Sequence, residues 1–275
     1  GPVGTAGVSA TGGAGGGTGG SSGSSTGGTG GAGDGWVKIF NGQDLTGWYP
    51  LIHKSAYKVD TYNTYRADAA TGVIKVTYQD YPGGDFDSRC GLLYYDKFLT
   101  NYRVRVTYRF VEPQAANPVG WGKNNTGLMI FGIDPATVTG DPLFPPAIEI
   151  QLLGTPSSGG TNNANLCMPG GMTVNMLHGL TTPNGNCHDS KSGPARAANE
   201  WVTIEAEVNV TGDTKVFQHA LPDATPAAKD LALMTPILTI SGPMYQGQPV
   251  TGGYLALQSE SQPLEFKDIE LKELP

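Results

Sequence analysis

Glu149 and Gln151 stand two residues apart in "AIEIQLLG" (147–154), with Ile148, Ile150 and Leu152 alternating between and after them. This is the period-2 pattern of a strand with one apolar face, so the carboxyl and the amide project together from the other face. They are either ordinary solvated positions or the polar floor of a groove, where the carboxyl could act as base or acid. Glu260, in "LQSES", is a second and weaker carboxylate candidate. Arg89 precedes "CGLLYY" and could meet a ligand oxygen or a developing negative charge; a surface ion pair worth little is its plainer role. His178 and His188 fall in "NLCMPGGMTVNMLHGLTTPNGNCHDS" (165–190). A histidine in such a Gly/Asn-rich loop is usually a surface residue, but two in one loop could reach the same rim.

That loop also holds Cys167 and Cys187, which are either a disulfide, two free thiols or half of a metal site. A bridge there would contribute roughly 3 kcal/mol through loop closure. Cys90 is left over, and is expected to be a buried free thiol. Standard enzyme signatures are absent: there is no G-x-S-x-G, H-E-x-x-H, P-loop or Rossmann fingerprint.

The elements that must position these residues are strands. "YRVRVTYRFV" (102–111) and "WVTIEAEVNV" (201–210) alternate over their whole length. "GLMIFGI", "TKVFQHA", "GYLALQS" and "LEFKDIELKEL" do the same, separated by Gly, Pro, Asn and Asp clusters. Only "AAKDLALM" (227–234) hints at a helix. Many strands with turn-rich connections predict a two-sheet jelly-roll sandwich, with a closed barrel as the alternative.

Of the 275 residues 41 are Gly and 20 are Pro. The first 35 contain no aromatic residue and a single charge, Asp34. They cannot bury enough apolar surface to offset ordering entropy, so residues 1–35 are expected to be a flexible tether and 36–275 the folded domain. Such a tail suggests an oxidising exterior, which favours the Cys167–Cys187 bridge over free thiols. The net charge of −7 makes nucleic acid an unsuitable partner. No segment approaches the ~20 apolar residues of a membrane-spanning helix.

"IFNGQDLTGW" near the start and "GGYLALQSESQPLEFKDIELKEL" near the end resemble the paired terminal signatures of the 3-keto-disaccharide hydrolase domain family. "NYRVRVTYRF", "NNTGLMIFG", "AIEIQLLG" and "NLCMPGG" follow in the family's order. The resemblance spans about Trp36 to Leu274. It implies a concanavalin/laminin-G-like jelly roll, export to the periplasm, cell surface or medium, and action on sugars. It places Glu149 and Gln151 in the concave cleft, matches Asn125 to the family's N-S/T-G motif, and matches Gln258 to its L-Q motif. Asn125 could equally cap a turn, and Gln258 could hydrogen-bond a neighbouring loop. The chain departs from relatives at two places. Phe131 stands where their strand often carries a histidine, and His188 follows its cysteine where theirs precedes it.

For an enzyme of this kind the expected chemistry is elimination from a 3-keto-glycoside, with Glu149 and His188 as catalytic candidates. Arg89, Asn125, Gln151, His178, Gln258 and Glu260 are the expected sugar-binding set. No cofactor is certain, although a divalent metal is possible. A non-catalytic carbohydrate-binding module is the first alternative. The second is a structural subunit of an extracellular assembly, a homo-oligomer joined through the N-terminal tail. Membrane association would come only from a lipid anchor upstream.

Overall fold

The computed structural model describes residues 35–158, 160–219 and 235–275. The expected tether, as far as residue 34, and the helix suggested over 227–234 lie outside them. Two large sheets account for the fold. The first runs, in spatial order, Met176–His178, Leu238–Ser241, Asp213–Gln218, Val202–Val208, Tyr102–Phe110, Leu264–Glu273, Val73–Val76 and Tyr65–Asp68. The second runs Leu180–Asn184, Cys187–Ser190, Asn165–Cys167, Ile148–Thr155, Asn125–Gly132, Gly253–Ser259, Gly91–Leu99 and Trp48–Ile52. Every pairing along both orders is antiparallel; Arg196–Ala197 adds a short parallel contact to Ile148–Thr155. Among the described residues there is no α-helix, and the jelly-roll sandwich expected from the sequence is the fold.

The alternation becomes packing directly. Tyr102, Val104, Val106, Tyr108 and Phe110 enter the core between the sheets, as do Val202, Ile204, Ala206 and Val208 from the adjoining strand. The register pairs Ile204 with Val106 and Ala206 with Val104, so apolar side chains meet on one face of the sheet and charged ones on the other. The second sheet contributes Leu93, Leu128, Ile130, Ile148, Ile150, Leu152 and Leu257 to the same core.

The terminal signatures meet in space. Val37 and Lys38 pair with Leu271 and Glu270, and the Ile39 N–H donates to the Ile269 carbonyl over 3.0 Å. The Asn41-Gly42 turn is held by Asn41 Oδ1, which accepts from the N–H groups of Gln43 and Asp44. Gly42 has φ 76°, a left-handed conformation that glycine adopts without a Cβ penalty. Cys167 and Cys187 are cross-strand partners joined by a disulfide, and Cys90 is a buried free thiol.

Phe131 does not occupy an outer-face position. Strict alternation after Gly127 and Met129 would turn its ring outward. Instead its backbone is left-handed, φ 55°, and the ring joins the core between the sheets.

Candidate active site

The outer face of the second sheet is built in rows across its strands. One row holds Tyr49, Tyr94, Ala256, Met129, Glu149, Cys167 and Cys187 in successive register. In the next, Leu51 pairs with Leu92 and Leu92 with Gln258, while Gly127 pairs with Gln151 and Gln151 with Asn165. Leu257 opposes Leu128, which sets Gln258 beside Gly127. Gly127 lets these rows touch. A Cβ there would lie 2.9 Å from Gln258 Oε1, 2.9 Å from Glu149 Cγ and 3.0 Å from Glu149 Oε1. Glu149 therefore leans over the glycine toward Gln258.

Asn125 and Glu260 complete the group, and Trp121 ties them together. Asn125 Nδ2 donates to the Trp121 carbonyl over 3.0 Å, while the Trp121 indole N–H donates to Glu260 Oε1 over 3.3 Å. Gly122 lets this loop sit down, since a Cβ there would lie 2.2 Å from the Glu260 carbonyl oxygen. Gln258 and Asn125 are 0 % exposed, Glu260 3 % and Glu149 5 %. Even so, Asn125 Oδ1 and Glu260 Oε2 have no hydrogen-bond partner, and the Gln258 amide completes no well-formed bond, although it lies near enough to Glu149 to favour the charged carboxyl. Buried polar atoms are nearly always satisfied, and each unsatisfied one costs about 1–3 kcal/mol. Those around Glu149 and Glu260 leave the group with unused hydrogen-bonding capacity.

Burial dominates the electrostatics. It pushes the Glu149 carboxyl up to about 8, against a smaller opposing pull from the Gln258 amide. Glu260 is pushed well above the carboxylate range, by burial first and then by the Glu149 charge, with the Trp121 N–H opposing. The Cys90 thiol, beneath the sheet, is also raised, chiefly by burial and then by these two carboxylates. Two buried carboxyl groups of which one feels the other's charge titrate as a pair, and both being raised, the pair holds a proton near neutral pH.

The other expected residues go elsewhere. His188 opposes Leu166, a core residue, so its ring lies on the inner face of the sheet, opposite Glu149, with Nδ1 3.0 Å from the Thr181 carbonyl. The pairing of His188 with Glu149 as joint catalytic groups is therefore corrected, because successive strand residues point to opposite faces. His178 pairs with Thr239 on an edge of the first sheet and is exposed, so it does not reach the Glu149 group. Arg89 spends its guanidinium on the Lys54 carbonyl, Ser55 Oγ, Asp87 and the face of Tyr62. Gln151 shares the outer face with Glu149 and accepts from Asn165 Nδ2 over 3.0 Å.

Trp121 and Gly127 were not singled out by pattern. The only signal for Trp121 is an aromatic residue between two glycines, four positions before Asn125. Among the described residues, no three or more His, Cys, Asp or Glu side chains converge as a metal cage.

A family profile for the 3-keto-alpha-glucoside-1,2-lyase-like domain matches residues 35–272. No curated protein sequence matches the chain. Among solved structures, a presumed glycosyl hydrolase from Parabacteroides distasonis overlaps with TM-score 0.46 at 15 % identity, over 88 % of this chain and 94 % of that one. The metal-free exoplasmic/lumenal domain of VIP36 overlaps at 0.45 and 12 % identity, over 87 % and 91 % of the two chains. The carbohydrate-binding module CBM66 of Bacillus subtilis overlaps at 0.37 and 8 %, over 69 % and 89 %.

Proposed function

The chain belongs to the 3-keto-alpha-glucoside-1,2-lyase-like domain family, and from this we propose that it cleaves 3-keto-glycosides by elimination, with Glu149 as the base. The observation that carries the proposal is the set of unpartnered polar atoms around Glu149. Asn125 Oδ1 and Gln258 Oε1 are acceptors, the Gln258 amide N–H group is a donor, and Glu260 Oε2 donates while that carboxyl holds its proton. Such a mixture of donors and acceptors suits a ligand rich in hydroxyl groups, as a sugar is.

The chemistry needs one base at the right pKa. A ketone at C3 acidifies the C2–H bond. Glu149 takes that proton and the C2–H electron pair becomes a C2=C3 enolate. Collapse of the enolate re-forms the ketone, moves the pair into C1=C2 and breaks the C1–O bond. The departing aglycone oxygen takes a proton from the carboxyl pair, and addition of water across C1=C2 completes a net hydrolysis. A base pushed up to about 8 is matched to this task near neutral pH better than an ordinary carboxylate. Gln258 is the donor for the enolate oxygen. Asn125 has committed its N–H to Trp121, and Arg89 is held by the Lys54 loop. Because Glu149 is only 5 % exposed, the sugar must displace what lies over it. Trp121, 47 % exposed and tied to Glu260 by one bond, is the side chain best placed to move.

The displacement of His188 to the inner face favours a second reading, a carbohydrate-binding module that uses the same groups without chemistry. The disulfide supports a location outside the reducing cytoplasm in either case.

One assay separates the readings. The protein is given 3-keto-glucosides beside the unoxidised glucosides, and aglycone release is followed from pH 5 to 9. Turnover of the keto forms alone is expected, rising with pH and levelling above about 8. Glu149→Gln should lose at least about 10³-fold in turnover. Unchanged turnover in that variant would reject Glu149 as base, and binding without turnover in the wild type would establish the module.

A further inference from the structure

The segment between Gly132 and Ile148 leaves and re-enters the second sheet at one end of its strands. Its tip is anchored at the other end. Asp141 lies 3.2 Å from the His53 ring and accepts from the Lys54 backbone N–H. His53 and Lys54 follow Ile52, which is aligned with Gly91 and so with Ser259, next to Glu260. The segment therefore runs lengthwise along the edge strand Trp48–Ile52.

It borders a half-open cavity of about 370 Å³ against that strand. Its walls are mainly apolar: Leu51, Tyr57, Ala136, Val138, Leu143 and Pro145, with polar atoms supplied by Ser55 and the His53–Asp141 pair. Leu51 is also the link to the Glu149 group, because its row continues through Leu92 to Gln258. Two strand spacings separate Leu51 from Gln258, roughly 10 Å. Under the strap is an apolar cavity of ligand size; across one intervening strand lies a cluster of unpartnered polar groups.

Leu92, 1 % exposed, lies between the two, so a molecule with a hydroxyl-rich head and an apolar body would span both by displacing that side chain. We propose that the cavity under the Gly132–Ile148 strap is the aglycone subsite and takes an aromatic aglycone, making aryl 3-keto-glycosides the preferred substrate class. The proposal rests on the 3-keto-glycoside reading for the identity of the head group. The aryl preference itself rests on the cavity walls. A phenyl ring buried there gains apolar contact that a methyl or glucosyl aglycone cannot, and ordering costs leave about a tenfold preference.

The test is equilibrium binding of phenyl and methyl 3-keto-glucosides to the full-length Glu149→Gln protein, in which the ligand persists. Phenyl should bind at least about tenfold more tightly. Ala136→Phe or Val138→Phe, each made in that background, should fill the cavity and bring the ratio close to one, while methyl 3-keto-glucoside binding stays as it was. Ala136 is exposed on its lining edge, and thermal melting confirms that each variant is folded. In protein with neither filling substitution, nuclear Overhauser contacts from the phenyl protons to the Val138 methyl groups provide a check independent of any filled variant. Equal affinities, a filled cavity that weakens both ligands alike, absence of those contacts, or no binding of either ligand would overturn the subsite. If the wild type turns over no 3-keto-glycoside but the phenyl preference and its loss on filling persist, the elimination reading fails and the subsite stands.

Discussion

Two buried glutamates, one on the outer face of each sheet, have opposite fates. Glu205 on the first sheet is 0 % exposed, as buried as any group around Glu149. Burial is the largest influence on it and acts to raise its pKa, yet its carboxyl is held below the ordinary value, because His219, Arg105 and Arg103 together outweigh burial. The contacts are close: Arg103 at 2.7 Å, Arg105 and His219 at 2.8 Å. Arg105 also reaches Glu270 and stacks 3.6 Å from the centre of the Trp36 ring. Among the described residues no cation pairs with Glu149 or Glu260; their neighbours there are each other, two amides and an indole. The Glu205 charge is compensated in place, although His219 Nδ1 in the same network has no partner, whereas around Glu149 the open polar atoms adjoin carboxyl groups that no cation compensates among the described residues. The difference between the faces thus separates structure from function more sharply than either residue's burial does.

The largest effect expected from this contrast is on stability at the satisfied face. Glu205→Gln removes the charge that compensates two arginines and a histidine. Breaking a buried ion pair from one side costs about 3–5 kcal/mol, which for a domain of this size lowers the melting temperature by about 6–20 °C. Calorimetry near pH 7 measures it. A loss under about 2 °C would show that the network is replaceable, and the contrast with Glu149 would weaken.

Glu149→Gln should act in the opposite direction. Its folded pKa is about 8 against an ordinary 4.5, so between those values the folded state binds more protons than the unfolded. Stability then falls as pH rises through that window. Gln has nearly the same shape and no charge to desolvate. The variant should melt a few degrees higher than wild type at pH 8 and close to it at pH 4, while losing turnover. A melting temperature lowered equally at both pH values would show that Glu149 holds the fold rather than awaiting a ligand.

Much of this was legible in the sequence, and the boundary of legibility is physical. A period of two specifies which residues share a face, so the outward Glu149–Gln151 pair and the inward Ile148–Ile150–Leu152 series followed from alternation alone. The Cys167–Cys187 link was accessible because both flank one loop. Placing a residue relative to a distant strand depends on register, which no local pattern contains. That is why His188 could be expected near Glu149 and lies on the opposite face. Phe131 escaped alternation because one left-handed residue reverses its side chain. Trp121 escaped because its role depends on a loop folding back onto Glu260 and Asn125, and the intervening glycines state only that such a fold-back is sterically allowed.

Trp121 also supplies the smallest and most discriminating test of the contrast. Among the described residues its indole N–H makes the one hydrogen bond to the Glu260 carboxyl, and it favours the charged form. Trp121→Phe keeps an aromatic ring at the position and removes that donor. Glu260 should then hold its proton more firmly. Glu149 is the first of the two to ionise, because the Glu149 charge raises Glu260 whereas burial and the Gln258 amide set Glu149. Glu260 is therefore already neutral while Glu149 titrates, and the rising limb of the pH–rate profile should stay in place. The plateau should fall, because it reports how well the ring positions the sugar and how readily Glu260 gives its proton to the departing oxygen. What decides the matter is the position of the limb. A limb that moves to lower pH would show that Glu260 carries charge while Glu149 titrates, and would overturn this order of ionisation.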